Sequence, residues 1–116
     1  MIITNVLGVR FLRQKEPTQM TPYQILYWHT IPVQVRAGGR HNRVSQELSV
    51  RFQEAVDNAA MLAGLTGTDS YVAGFAWGEM KKRDGTPETV AAAVVAELEA
   101  QYETIDWKGV AAAIRP

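Results

Sequence analysis

The chain has 116 residues, 47% of them hydrophobic, and its 12 Lys and Arg residues balance its 12 Asp and Glu residues. This length suits one domain with its own core, and a zero net charge argues against a dedicated nucleic-acid binder, which needs a positive surface. The absence of cysteine excludes disulfides and thiolate nucleophiles. No apolar run is long enough to span a membrane and no signal-peptide pattern opens the chain, so we predict a cytoplasmic protein.

The first 20 residues differ from the rest of the chain. Ile2–Phe11 has the composition of a short strand, but the polar stretch Arg13–Glu16 and then Pro17 interrupt it. Two interpretations remain open, an added edge strand and a loose leader upstream of an alternative start at Met20. We predict the leader, followed by one domain at residues 21–105 and a tail at residues 106–116.

Three strands are predicted next, arranged as a meander. Tyr23–His29 is rich in β-branched and aromatic residues, which favour strands. Pro32 marks a bend before the second strand, Val33–Arg36, because proline cannot donate a hydrogen bond to the ladder. Gly38-Gly39 indicates a turn. Arg43–Leu48 is the third and shortest of these strands.

A helix and a fourth strand follow. Ser49 is a candidate N-cap, and the helix after it is expected to run to about Ala63. The fourth strand lies within Tyr71–Lys81 and is best defined at Phe75–Met80. The glycines of that segment indicate a bend or a bulge.

A second long helix completes the predicted fold. Thr86-Pro87-Glu88 combines a cap, a proline at the first helical position and an early acid. Val90, Val94, Leu98 and Tyr102 then recur at helical spacing. The prediction is an α+β fold, with an antiparallel sheet of about four strands and two helices on one face, in the order β-β-β-α-β-α. A further helical turn or two at Trp107–Ile114 is left open.

Apolar side chains of the sheet give the first candidate site. Strand alternation puts Leu26 and Trp28 on one face of the first strand, and two helices on the other face would leave this face partly open. We therefore predict that Trp28, Leu26, Trp77 and Phe75 bind a partner, because large apolar and aromatic groups dominate interface energetics. The alternative is that these side chains complete the core.

Two polar segments are further candidates. Arg36, Arg40 and Arg43 surround the glycine turn and are predicted as an anion-binding group, the alternative being a solvated hairpin tip. Asp69 lies in a Gly-Thr-Asp-Ser loop that is a candidate ligand loop. Its alternative role is to cap a turn through its side chain.

Residues for catalysis or metal binding do not form a recognisable set. His29 and His41 lack the spacing of paired metal ligands, and the chain has no phosphate-binding loop or nucleophile elbow. We therefore predict no metal, no cofactor and no catalytic residue.

Two stretches carry a family resemblance. They read YQILYWHTIPVQV from Tyr23 and RVSQELSVRFQEAVDNAAMLAGLTGTDSYVAGFAWGE from Arg43. Over about Tyr23–Tyr102 the chain resembles the small bacterial conserved virulence factor domain. The chain departs from that pattern at His29, where an acid is usual, and at Gly38-Gly39, which replaces an Asp-Gly turn.

The resemblance implies an accessory role rather than a known reaction. The name of the family reflects a phenotype, and the family offers no catalytic residues to carry over. Stand-alone relatives lie near genes of folate- and corrinoid-dependent one-carbon metabolism, which implies an accessory protein of a methyl-transfer system.

The leading prediction is a non-enzymatic module that binds another protein. The alternative is a small-ligand-binding or catalytic accessory subunit, which would use the arginine side or the Asp69 loop. An exposed apolar sheet face would favour the first prediction, and a pocket beside Asp69 with convergent polar groups would favour the second. RNA binding through aromatic strands is disfavoured by the zero net charge and by the lack of an RNP-like pattern.

Overall fold

A computed structural model describes residues 19–115 of the chain. Most of the predicted leader, residues 1–18, lies outside the described residues. Met20, the predicted alternative start, is the first residue of the first described strand.

Five strands and four helices make up residues 19–115. In chain order they are β1 (Met20–Trp28), β2 (Ile31–Ala37), β3 (Val44–Glu47), α1 (Val50–Leu62), α2 (Asp69–Ala73), β4 (Phe75–Trp77), β5 (Lys81–Asp84), α3 (Pro87–Gln101) and α4 (Trp107–Ile114). The strands form one antiparallel sheet in the order β3-β2-β1-β4, and β5 pairs with β1 alongside β4. The predicted α+β fold with an antiparallel sheet is confirmed.

β4 and β5 form one interrupted strand along β1. Trp77 pairs with Leu26, whereas Lys81 pairs with Tyr23, so four steps on this strand match three steps on β1. The extra residue forms a bulge. Gly78 lies in it, and its amide donates to the Ile25 carbonyl at 2.8 Å.

The predicted fourth strand starts at Phe75 as expected, but it is interrupted after Trp77 and extends past Lys81. Tyr71 belongs to α2, because the Thr68 side chain caps this helix by accepting a hydrogen bond from the Tyr71 amide at 3.3 Å. At the other end, pairing continues beyond the bulge to Asp84. The extension depends on the partner segment, Met20–Tyr23, which is distant in sequence.

α3 packs across β1, β2 and β3. Its buried face comprises Pro87, Val90, Ala91, Val94, Val95 and Leu98. Opposite it, Val35 and Ala37 of β2 are fully buried. Gly38 lets the start of α3 approach the β2–β3 turn, because a Cβ on Gly38 would lie 2.5 Å from the Asn42 carbonyl oxygen and 3.1 Å from the Pro87 Cγ. Its φ of +104° also favours glycine.

The residues predicted as a tail belong to the fold. Asp106 caps α4, since its carboxylate accepts a hydrogen bond from the Gly109 amide at 3.0 Å. α4 packs on α1, and Ala111 is fully buried. Arg115 also donates to the Leu62 carbonyl at 3.1 Å. The packed unit therefore extends past the predicted boundary at residue 105, to residue 115.

The start of α1 and the end of α3 cap each other. Ser49 occupies the predicted N-cap position, but its side chain makes no capping bond within α1. Instead, its amide donates to Glu99 Oε2 at 2.6 Å and its hydroxyl donates to Glu99 Oε1 at 2.9 Å. Arg51 donates to the carbonyls of Glu99 and Tyr102 at the end of α3, and also binds the Glu99 carboxylate at 3.1 Å. An anion thus lies at a helix N-terminus and a cation at a helix C-terminus, as the helix dipoles favour.

Glu99→Gln is expected to make the stability of the protein less dependent on pH. Partial burial tends to raise the pKa of Glu99, but the hydrogen bonds from Ser49 and Arg51 outweigh it and lower this pKa. The stabilisation by the carboxylate is therefore present above the pKa of an unfolded glutamate and is lost as the pH falls through the folded pKa. The variant should lose about 1–2 kcal/mol of unfolding free energy at about pH 7 and much less at about pH 3.

Urea unfolding at the two pH values measures this difference. Glu103→Gln is the matched control, because Glu103 is an exposed glutamate in the bend after α3. A loss in Glu99→Gln that is equal at both pH values would contradict the assigned role of the carboxylate.

Candidate functional site

One face of the sheet carries a group of partly exposed side chains. Strand pairing places Gln24 opposite Arg36, and Leu26 opposite both Gln34 and Trp77. Alternation along β1 puts these five residues on the same face, which we call the open face. All five are partly exposed. The other face, which includes the paired Ile25 and Val35, belongs to the core.

Arg36 is held flat on this face. Its guanidinium carbon lies 3.8 Å from the centre of the Trp77 ring, a cation–π distance. Its Nε and Nη2 atoms donate to Gln24 Oε1 at 3.1 and 2.7 Å. Gln24 in turn donates to the Gly78 carbonyl at 3.0 Å. These contacts connect β2, β1 and the bulge, and within residues 19–115 they leave the Nη1 group of Arg36 without a hydrogen-bond partner.

A cleft lies beside the open face, where the sheet meets the first turn of α1. Its volume is about 390 Å³, which is within the usual range for ligand pockets. We call it the sheet–helix cleft. Its lining residues are Leu26, Val33, Gln34, Glu47, Leu48, Ser49, Val50, Gln53 and Phe75. Its walls are therefore mainly apolar and amide groups, with one carboxylate.

The structure brings together three of the four predicted partner-binding residues. Leu26 and Phe75 line the sheet–helix cleft, and Trp77 lies next to Leu26 on the open face. All three are partly exposed. They form a continuous surface that joins the open face to the cleft.

Trp28, the fourth predicted partner-binding residue, was assigned wrongly. Its side chain is 0% exposed, so it belongs to the core and has no surface to offer to a partner. Its indole N–H donates to the Tyr71 carbonyl at 2.8 Å, and its ring packs edge-on against His29 at 4.5 Å. The covering segment runs from α2 into Gly74, where a Cβ would lie only 2.6 Å from the Trp28 Nε1. Burial by this segment could not be predicted from alternation along β1.

The three predicted anion-binding arginines are not gathered into one group. Arg40 and Arg43 are exposed residues of the β2–β3 turn. The Arg36 guanidinium instead contacts Gln24 on β1 and Trp77 on β4. It therefore points away from the β2–β3 turn. Arg36 therefore belongs with the apolar residues of the open face, and not with the turn.

Asp69 is the first residue of α2 and is exposed, while Thr68 is the N-cap. A pocket of about 330 Å³ lies near this loop, but Asp69 is absent from its lining, which is Asp57, Ala60, Met61, Thr66, Gly67 and Tyr71. The Tyr71 hydroxyl donates to Asp57 at 3.2 Å and accepts from Gln53 at 3.3 Å. Burial and the neighbouring Asp57 raise the pKa of Tyr71. The polar groups at this pocket thus largely satisfy one another.

Sequence reasoning missed two contributors to the site. Gln24 orients Arg36, and its place on the Leu26 side of β1 was available from alternation alone. Val50 is an apolar residue at the first position of α1 and is 70% exposed. Its position just after the predicted N-cap was the signal, but its contact with the cleft required the tertiary structure.

Two further properties concern the part of the chain that the structure describes. Residues 19–115 hold no cluster of three or more His, Cys, Asp or Glu side chains suited to a metal ion. None of the helices in this range combines the length and the apolar character needed to cross a membrane.

The fold and the site define a small α+β domain with a partly open antiparallel sheet beside a cleft. The virulence factor family model matches residues 26–109, well over half of the chain, so the chain belongs to this family. The match confirms the resemblance and includes every residue of the sheet–helix cleft. No curated protein and no solved structure matches the chain.

Proposed function

We propose that this domain is a non-enzymatic accessory module that binds another protein through the open face and the sheet–helix cleft. The observation that supports the proposal is the continuous, partly exposed surface formed by Leu26, Trp77 and Phe75. Exposed apolar surface of this kind is typical of sites for protein partners.

The chemistry of the surface supports a protein partner. Trp and Arg are the residue types most often found at the energetic centre of interfaces, and here Arg36 lies on Trp77. Because Gln24 already orients Arg36, binding costs less side-chain entropy than it would for a free arginine. The neutral amide of Gln34 at the cleft can donate to and accept from a peptide backbone. Gln53 already donates to Asp57 and Tyr71, so it offers its side-chain oxygen as an acceptor.

Val50→Glu is expected to abolish capture of the partner while preserving the fold. The substitution places a charge in the wall of the cleft, where an apolar group of the partner would have to cover it. The side chain is 70% exposed, and an acid in the first turn suits the helix dipole, so stability should change little. Affinity capture from the native host, quantified by mass spectrometry, should show at least about a tenfold loss of one specific protein.

Val72→Glu is the matched control. Val72 lies on α2, is 67% exposed and does not line the cleft. The control should capture the same proteins as the unaltered chain. Equal capture by all three forms would refute an interaction through the cleft.

A further inference from the structure

We infer that the partner presents an extended acidic segment, in which one carboxylate binds Arg36 and an apolar side chain two residues away enters the sheet–helix cleft. This inference rests on the proposed function and specifies the chemistry of the partner. It uses the arrangement of charge along the open face.

The positive charge of Arg36 is uncompensated within the described residues. The ion pairs formed among residues 19–115 are Arg51–Glu99 and Arg83–Glu97, and Arg36 takes part in neither. Its contacts there are a neutral amide and an aromatic ring. A guanidinium with donors to spare matches the two oxygens of a carboxylate. Pro22 lies two residues before Gln24 on β1 and therefore on the same face, and exposed Lys82 pairs with it. Lys82 thus adds a second cation near this end of the open face.

The cleft end of the site disfavours a carboxylate. Glu47 lines the cleft, so its charge would repel a second acid. The start of α1 is also already occupied by an anion, because Glu99 accepts hydrogen bonds from both the amide and the hydroxyl of Ser49. The walls formed by Leu26, Phe75 and Val50 instead suit an apolar side chain.

The spacing of the two ends fits an extended segment. Leu26 lines the cleft, and its cross-strand neighbour Trp77, whose ring carries the Arg36 guanidinium, lies about 5 Å from it across the sheet. In an extended peptide, side chains two residues apart lie on the same side and are separated by about 7 Å, which is enough to reach from the guanidinium on Trp77 to the cleft. The expected recognition pattern is therefore an Asp or Glu and a bulky apolar residue separated by one position.

Selection from a phage-displayed library of random peptides tests the inference with the full chain as bait. The selected peptides should be enriched in this acid–x–apolar pattern. Fluorescence anisotropy then measures one selected peptide against the unaltered chain, Arg36→Gln and the matched control Arg43→Gln, which alters an exposed arginine of the turn. Arg36→Gln should weaken binding by about tenfold or more, and Arg43→Gln by less than about twofold.

A change on the peptide side keeps the test independent of the folding of the Arg36 variant. Replacing the acid of the peptide with its amide should weaken binding to the unaltered chain about as much as Arg36→Gln does. Combining the two changes should produce little further loss.

The outcomes separate the inference from the proposed function. One outcome would overturn the inference of an acidic partner while supporting the interaction site. In it, peptides bind the unaltered chain but not Val50→Glu, and neither Arg36→Gln nor removal of the acid of the peptide weakens their binding. Peptides that bind Val50→Glu as well as the unaltered chain would overturn both proposals. Recovery of no binding peptide would also count against both.

Discussion

Replacing Trp28 with alanine is expected to lower the free energy of unfolding by about 3–5 kcal/mol. The side chain is 0% exposed, so its removal leaves a cavity the size of an indole in the core. The substitution also deprives the Tyr71 carbonyl of the indole N–H that it accepts at 2.8 Å. Since small domains are stabilised by only about 5–15 kcal/mol, this loss is a large fraction of the total.

Urea unfolding followed by circular dichroism measures the effect, with Trp77→Ala as the matched control. Trp77 is partly exposed and contacts Arg36 through its ring face, so its removal should cost less, about 1–2 kcal/mol. Equal losses in the two variants would contradict the core position of Trp28. The expected instability also makes Trp28→Ala unsuitable as a probe of partner binding, a role for which Val50→Glu is better suited.

Leu98→Ala is expected to have the second-largest effect, a loss of about 2–5 kcal/mol. Leu98 is 6% exposed and lies on the face of α3 that packs against the sheet. Alanine preserves the helix, because its helical propensity is the highest, so the loss measures packing alone. Leu62→Ala is the matched control, since Leu62 is a helical leucine of α1 that is 46% exposed.

The midpoint of urea unfolding should fall markedly for Leu98→Ala. For Leu62→Ala the free energy of unfolding should fall by less than about 1 kcal/mol. An unchanged midpoint for Leu98→Ala would contradict the packing of α3 in the core. The comparison therefore tests the layer arrangement as well as the burial of one residue.

The parts of the fold that were predicted correctly have local causes. β1 and β2 follow from β-branched and aromatic residues, and α3 follows from a cap, a proline and an apolar row. The predicted bend at Pro32 was misplaced, because the turn lies at His29-Thr30, where His29 has a φ of +55°, and Pro32 pairs with Tyr27 within β2. The parts that were missed depend on distant residues. Lys81–Asp84 has a poor composition for a strand, and it becomes β5 only because Met20–Tyr23 offers pairing groups.

The same distinction explains the candidate site. Leu26, Phe75 and Trp77 were predicted because their residue types and strand positions are readable from the sequence. The grouping of Arg36 with Trp77 was not predicted, because it requires β4 to pair with β1 on the side away from β2. Trp28 and Leu26 are expected on the same face of β1 from alternation. However, α2 covers Trp28, whereas Leu26 remains at the cleft.

The bulge between β4 and β5 also bears on self-association. A long, flat and regular strand at the side of a sheet offers a template on which other copies of a chain can aggregate. Here the strand beside β1 is broken near Gly78 after three residues, and it continues with the exposed Lys81 and Lys82. Twist at the bulge and the cost of burying two ammonium groups both disfavour such stacking. Within residues 19–115, the irregularity that helps to hold Gln24, and through it Arg36, therefore also disfavours amyloid-like growth from this edge of the sheet.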